Sequence, residues 1–527
     1  MKKFKKWFLI SIIIISSLFI YVYKLDKIPS GVYVDEAAIS YNAISILKTG
    51  KDEYGMTYPI LFRLFGSYTP SLYIYIAAFA FKIFGAGIVV TRMISVLSAL
   101  GSIYIFYLLI TKLEILKYKY SKFIAAFFYA ISPWLIFNAR LGYETTLGYF
   151  IFLTGIYFTY KALHSPKNLI VGLGLLALST YAAHTQKLLF FIYVFFYFLI
   201  FGIKFIEKKQ LKILITSLAL TVLVFIPYIF IIKTQAFWVK NLNFFDQEIS
   251  QIFENFFLQI LIYYSPKTLF FALPDIDLQH TIPQLSIMYN WMVIPYLLGL
   301  YLLIKNRKTT ANKFIIFLFF VTVIPASLSG RFISIQRALP FLVPLMLVIG
   351  YGIDFILQKF GRIAKIILFF LFTIYSLLNL FRGYFILFPR ERALAWNWGY
   401  DQVSDFIKNH PEKKFTIDNS RNPRLYIELL YLLDYPPDVY QTEVDPRYKY
   451  DYYDAQPQIY KYRFGNIEVR NIDWGADACQ DKIIIGDPLS VSDLQIKEHY
   501  LEKIYQINDF WQEPVFIFYQ TGNKPGC

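Results

Sequence analysis

Residues 31–55 read GVYVDEAAISYNAISILKTGKDEYG. Two adjacent carboxylates, Asp35 and Glu36, lie a short way beyond an apolar run from Trp7 to Tyr23. That run is long enough for a hydrocarbon core of ~30 Å. After the acids, Ile39, Ala43, Ile46 and Leu47 recur at helical spacing, so the stretch reads as an amphipathic helix. The plain reading makes Asp35 the cap of a helix starting at Glu36, because its oxygens accept the free N–H groups there and acids suit helix starts anyway. The chemical reading makes the pair a proton acceptor at a membrane face. The segment alone leaves both open.

The rest of the chain supplies the membrane. It has 527 residues, 57% of them hydrophobic and 20% aromatic, and a net charge of +16. In a soluble protein that charge would suggest nucleic acid. Here the basic residues sit in short gaps between long apolar runs, which is the positive-inside pattern. About eleven spans are expected, near 7–24, 88–111, 121–138, 144–161, 168–184, 187–204, 212–233, 287–304, 313–329, 336–357 and 363–388. With the N-terminus cytoplasmic, every inner segment is basic: Lys2 to Lys6, Lys112 to Lys122, Lys161 and Lys167, Lys204 to Lys212, Lys305 to Lys313, and Lys359 to Lys365. Counting 71–85 as a span would invert this order, so it reads as a helix along the outer interface or re-entering the membrane. The basic start MKKFKK leads into the first run with no small-residue cleavage site after it, which implies a retained signal-anchor. The fold class is therefore an α-helical polytopic membrane protein, with a first outer loop from about 25 to 87. Residues 389–527 are polar, mix helical and strand-like runs, and form a small C-terminal extracytoplasmic α/β domain. The two cysteines, Cys479 and Cys527, both fall there, where a disulfide is permitted but not required.

This topology brings other charges to the face that carries Asp35 and Glu36. Arg140 and Glu144 stand four apart in NARLGYETT, His184 and Lys187 in AAHTQK, His280 in DLQHTIP, and Arg331 and Arg337 in SGRFISIQRALP. A helix-end ion pair or solvated interfacial side chains would account for each singly, the pair at a few tenths of a kcal/mol, about the usual worth. Together they are basic residues on the side the charge bias disfavours, and a phosphate at the interface explains them. The spans hold almost no acids, Glu144 and Asp354 at their ends excepted, which argues against an ion-coupled transporter. No phosphate-binding loop, dinucleotide fingerprint or metalloprotease motif occurs, so a cytosolic nucleotide donor is disfavoured. A lipid-linked phosphosugar fits an outer-face site.

Residues 31–55, then FRLFGSYTPSLYIYIAAFAFKIFG (62–85) and VTRMISVLSALGSIYIFYLL (90–109), resemble bacterial glycosyltransferases of the GT-C superfold. This is the broad group of protein O-mannosyltransferases and lipid A aminoarabinose transferases. SPWLIFNARLGYETTLGYF (132–150), LPDIDLQHTIPQLSIMY (273–289) and PASLSGRFISIQRALPFL (325–342) are similar to the same group in order and spacing. The resemblance covers residues 1–388, which it implies are a GT-C transmembrane domain. It further implies an inverting transfer of sugar from a polyprenyl phosphate to an acceptor hydroxyl. Asp35 would be the base, with Glu36 and Glu144 as the other acids of the site. Arg140, Arg337 and Lys187 would hold the lipid phosphate, while His280 and Tyr68 line the substrate. No cofactor is implied with certainty; Asp35 and Glu144 are the candidate ligands of a divalent metal. Glu stands at 144 where protein mannosyltransferases favour Asp, and their sugar-binding repeat domain is missing, so the acceptor is left as glycan, lipid or protein. Membrane lipids are partners and nucleic acid is not. A lipid-linked-glycan transporter and a non-catalytic scaffold of envelope assembly are the rivals of another class. A ligase moving a whole glycan from a polyprenyl diphosphate is the rival enzyme.

Overall fold

The structure is a computed structural model that describes residues 2–65, 67–207, 210–238, 248–273, 278–328, 333–450, 452–454 and 461–522. Arg331 and Cys527 lie outside the described residues. Cys479 is disulfide-bonded.

Helix α1 (Lys2–Val22) is followed by α2 (Val34–Thr49), which Gly50 ends in the left-handed conformation with its N–H on the Ile46 carbonyl. A short antiparallel hairpin, β1 (Leu61–Leu64) and β2 (Ser67–Pro70), leads into α3 (Leu72–Phe84). Then come α4 (Ile88–Leu113), α5 (Ser121–Ala130), α6 (Pro133–Ala139), α7 (Thr145–Ala162), α8 (Asn168–Ser179) and α9 (His184–Phe201). Further apolar helices cover Leu211–Ile229, Val293–Lys305, Thr310–Val321, Leu342–Lys359 and Arg362–Leu380. Among the described residues six helices are long and apolar enough to cross a membrane, or seven if α5 and α6 form one broken span. About eleven were expected. The shortfall lies mainly in runs that are apolar but short, such as Asn168–Ser179 and Asn290–Lys305. The α5–α6 pair is bent by 51°. Pro133 explains the break: it has no N–H to donate back and forces Ser132 out of the helical region, to ψ 138°.

Packing sorts these helices. Leu342–Lys359 is buried nearly all round, whereas Arg362–Leu380 exposes Ile363, Ile367, Phe370, Ile374 and Leu378. An apolar face of that size has no place in water and suits lipid. Val293–Lys305 and Leu342–Lys359 meet backbone to backbone at two glycines. A Cβ on Gly299 would sit 1.9 Å from the Val348 carbonyl oxygen, and one on Gly352 1.8 Å from that of Pro295.

The C-terminal region carries a six-stranded sheet in the order β4-β5-β3-β6-β8-β7. These are β3 (Phe415–Ile417), β4 (Tyr462–Phe464), β5 (Ile467–Val469), β6 (Ile483–Gly486), β7 (Glu502–Asn508) and β8 (Pro514–Gln520). The central strands β5, β3 and β6 are parallel; the rest pair antiparallel. The same region holds helix Tyr400–Asn409 and helix Leu425–Leu432. The second of these lies against α2.

Candidate functional site

The acidic pair is resolved by where α2 begins. The helix starts at Val34, not at Glu36, so Glu36 stands three residues beyond the capping position. Its carboxylate reaches back to the Tyr33 N–H at 3.3 Å. The expected cap role of Asp35 therefore belongs to Glu36. Glu36 is wholly buried and takes a bidentate ion pair from Arg92 on α4, with Nε to Oε1 at 2.9 Å and Nη2 to Oε2 at 2.8 Å. It also accepts the Gly142 N–H at 2.6 Å. Arg92 spends its other donors on the carbonyls of Leu25 and Gly31. One carboxylate thus ties α2 to α4 and to the turn before α7.

Consecutive helical residues point about 100° apart. With Glu36 turned inward, Asp35 is turned into a cavity of about 550 Å³. Glu144, at the start of α7, lines the same cavity, brought there by the Glu36–Gly142 link. Arg337, His280 and Tyr68 also line it, so five of the eight expected residues converge. His280 is buried, edge-on to Tyr33 with ring centroids 6.0 Å apart. The Tyr33 ring packs on Trp396 and its hydroxyl donates to Gln279 at 3.1 Å. Tyr68 spans two parts of the molecule. Its carbonyl accepts His184 Nε2–H at 2.6 Å, and its hydroxyl donates to the Tyr452 carbonyl.

The other three expected residues sit elsewhere. Glu36 lies outside the cavity, in the ion pair just described. Arg140 is fully buried and its guanidinium serves the backbone, donating to the carbonyls of Ile20, Tyr21, Lys24 and Ile28 and to the Tyr384 hydroxyl. Those carbonyls belong to the end of α1 and the turn beyond it, where the last carbonyls of a helix lack partners. Arg140 satisfies them and is not placed to hold a lipid phosphate. Lys187 is buried behind the cavity wall, its ammonium 4.6 Å from the Phe237 ring centroid and 5.3 Å from that of Tyr228.

Sequence reasoning did not choose Tyr33, Tyr143, Gln186, Trp238, Gln336 or Arg424, all of which line the cavity, and left His184 without a role. His184 was visible as a charge in an outer turn; the others carry no linear signal. Among the described residues no group of three or more His, Cys, Asp or Glu side chains is arranged to hold a metal ion.

The cavity therefore offers two carboxylates, two imidazoles and two arginines among aromatic walls. That set can accept a proton from a hydroxyl and neutralise a phosphate within one enclosure.

No protein-family model and no curated protein matches the chain. Solved structures do. ArnT from Cupriavidus metallidurans bound to undecaprenyl phosphate is similar at 11% identity and a TM-score of 0.55, over 96% of this chain and 97% of that one. The apo state of the same protein is similar at 11% identity and a TM-score of 0.56, over 98% of each chain. At this identity the likeness is one of fold: the chain has the GT-C fold, from the first helix through the C-terminal sheet.

Proposed function

We propose that the protein is an inverting glycosyltransferase that moves a sugar from a polyprenyl-phosphate donor to an acceptor hydroxyl, and that the cavity around Asp35 is its active site. The observation that carries this reading is the convergence of Asp35, Glu144, His280 and Arg337, from four distant parts of the chain, on one enclosure at the end of an apolar helix bundle. The GT-C fold, and the undecaprenyl phosphate bound by the ArnT structure, support the choice of donor. The basic gaps between apolar runs support a cytoplasmic N-terminus, which would set the cavity and residues 389–527 on the outer side.

In this reading Asp35 takes the proton of the acceptor hydroxyl as its oxygen forms the new bond to the anomeric carbon. The bond from that carbon to the phosphate oxygen breaks, and its electron pair leaves with the lipid phosphate. Arg337 meets the charge that develops there. Glu144 shapes the field around the anomeric carbon, and His280 and Tyr68 line the substrate. A divalent cation would be held by Asp35 and Glu144, the two carboxylates of the cavity, and would supply positive charge against the donor phosphate.

The test is transfer from a synthetic polyprenyl-phosphate sugar by purified protein, with Asp35→Asn beside the wild type. We expect wild-type transfer and a loss of about 10²–10⁴-fold in the variant, the usual worth of a general base. Full activity of the variant removes Asp35 from the chemistry. A diphosphate donor used in preference to the monophosphate selects the ligase, and movement of labelled lipid-sugar across liposomes without transfer selects the transporter.

A further inference from the structure

We infer that Arg424 is the acceptor-selecting residue of the cavity, and that the acceptor it selects carries an anionic group, a carboxylate or a phosphodiester, close to the attacking hydroxyl. This rests on the glycosyltransferase reading above and adds to it the class of acceptor.

Among the described residues, every other one that lines the cavity comes from Arg337 or earlier, and Arg424 alone is supplied by the C-terminal region. Its backbone is held firmly. It immediately precedes helix Leu425–Leu432, whose residues from Leu425 to Leu430 are all buried, and that helix packs against α2, which carries Asp35. The side chain, by contrast, is exposed, and its guanidinium lies 5.3 Å from the centroid of the Phe65 ring at the tip of the β1–β2 hairpin. A cation–π contact with a ring uses none of the guanidinium's N–H donors, which stay available to a ligand. Other arginines of the C-terminal region are spent differently. Among the described residues, Arg421 pairs with Asp487 and Arg470 with Glu468 and Asp477, while no carboxylate pairs with Arg424.

The two cavity arginines also divide by origin. Arg337 lies just before the buried apolar helix Leu342–Lys359. Arg424 belongs to the polar C-terminal region, and its side chain is exposed. A fork of donors beside an aromatic ring, with no carboxylate paired to it among the described residues, suits a planar carboxylate or a phosphate.

The experiment is equilibrium binding to full-length protein in nanodiscs, for wild type, Arg424→Gln, Arg424→Lys and Arg337→Gln. The probes are a glucuronate-bearing oligosaccharide, its glucose counterpart, a glycerol-phosphate oligomer and undecaprenyl phosphate. The wild type is expected to bind one anionic glycan at least tenfold tighter than the neutral one. Arg424→Gln should erase that preference, Arg424→Lys keep part of it, and both should leave undecaprenyl phosphate within twofold of wild type. Arg337→Gln should weaken undecaprenyl phosphate instead. Whichever anionic glycan binds better tells carboxylate from phosphate. Equal binding of charged and neutral glycans by the wild type overturns the proposal, as does a loss of undecaprenyl phosphate in Arg424→Gln. If the wild type fails to bind undecaprenyl phosphate, the donor reading falls while the glycan probes still decide the role of Arg424.

Discussion

Glu36 and Arg92 form a bidentate ion pair at 2.8 and 2.9 Å with both side chains fully buried, and the neighbouring Asp35 faces the cavity. Two adjacent carboxylates thus do unlike work. Removing one partner of a buried pair strands the other charge, at about 3–5 kcal/mol. We expect Glu36→Ala and Arg92→Ala to lower the thermal unfolding midpoint sharply and cut the yield of folded protein. Asp35→Asn should leave both unchanged. Differential scanning fluorimetry in detergent separates the cases, and a well-folded Glu36→Ala protein would contradict the structural role.

A second pair of variants divides the arginines. Arg337→Gln should raise the KM for the lipid donor about tenfold or more, the worth of a charge-assisted bond, with the unfolding midpoint intact. Arg140→Gln should do the opposite, since it strips donors from carbonyls at the end of α1. Kinetics and unfolding on the same preparations decide it, and a donor KM effect in a stable Arg140→Gln protein would return Arg140 to the phosphate site.

The junction between the first loop and the C-terminal region is predicted to weaken as pH rises. Asp52 and Glu53 are both fully buried there, among Tyr54, Tyr426 and Tyr452 and near Arg63. Burial, and then the charge of Asp52, push the Glu53 carboxyl up to about 8. Burial pushes Asp52 up to about 6, against the bond from Tyr452. Both groups hold their protons more tightly when folded. Their contribution is therefore complete below the ordinary carboxylate range and drains as pH climbs, by at most about 1.4 kcal/mol per group per pH unit, until about pH 8. The unfolding midpoint should fall between pH 5 and pH 8, and Glu53→Gln should flatten that fall. A wild-type midpoint independent of pH across this window would sink the idea.

A steric prediction concerns Gly31. A Cβ there would stand 1.9 Å from the Trp396 carbonyl oxygen, a contact backbone cannot yield to without moving. Gly31→Ala should displace Trp396 and with it the Tyr33 ring that packs on it beside His280. We expect lost donor binding and a change in tryptophan fluorescence; wild-type values for both would mean that the wall is softer than drawn.

The helix bundle was legible because hydrocarbon imposes it: each apolar run long enough for a membrane has to be a helix, and charge marks the gaps. Asp35, Glu144, Arg337 and His280 were legible because ionisable groups beside apolar runs are costly and so conspicuous. The division of labour between Asp35 and Glu36 was not. It turns on a helix that begins two residues early, a shift too small for spacing to reveal but large enough to rotate a side chain from core to cavity. Arg140 misled for a related reason: nothing in NARLGYETT tells that the end of α1 lies opposite with carbonyls in need of donors. Arg424 was out of reach, since its place depends on how the C-terminal region folds back onto α2.

Tyr68 holds His184 through its carbonyl and Tyr452 through its hydroxyl, so the hairpin that bears it is stitched to the bundle on one side and to the C-terminal region on the other. The cavity is consequently a shared enclosure rather than a hollow in a self-sufficient bundle. A chain cut short after the last apolar helix would keep its anchor and lose a wall. An exchange of C-terminal regions between such proteins would amount to changing the mouth of the chamber while keeping its floor.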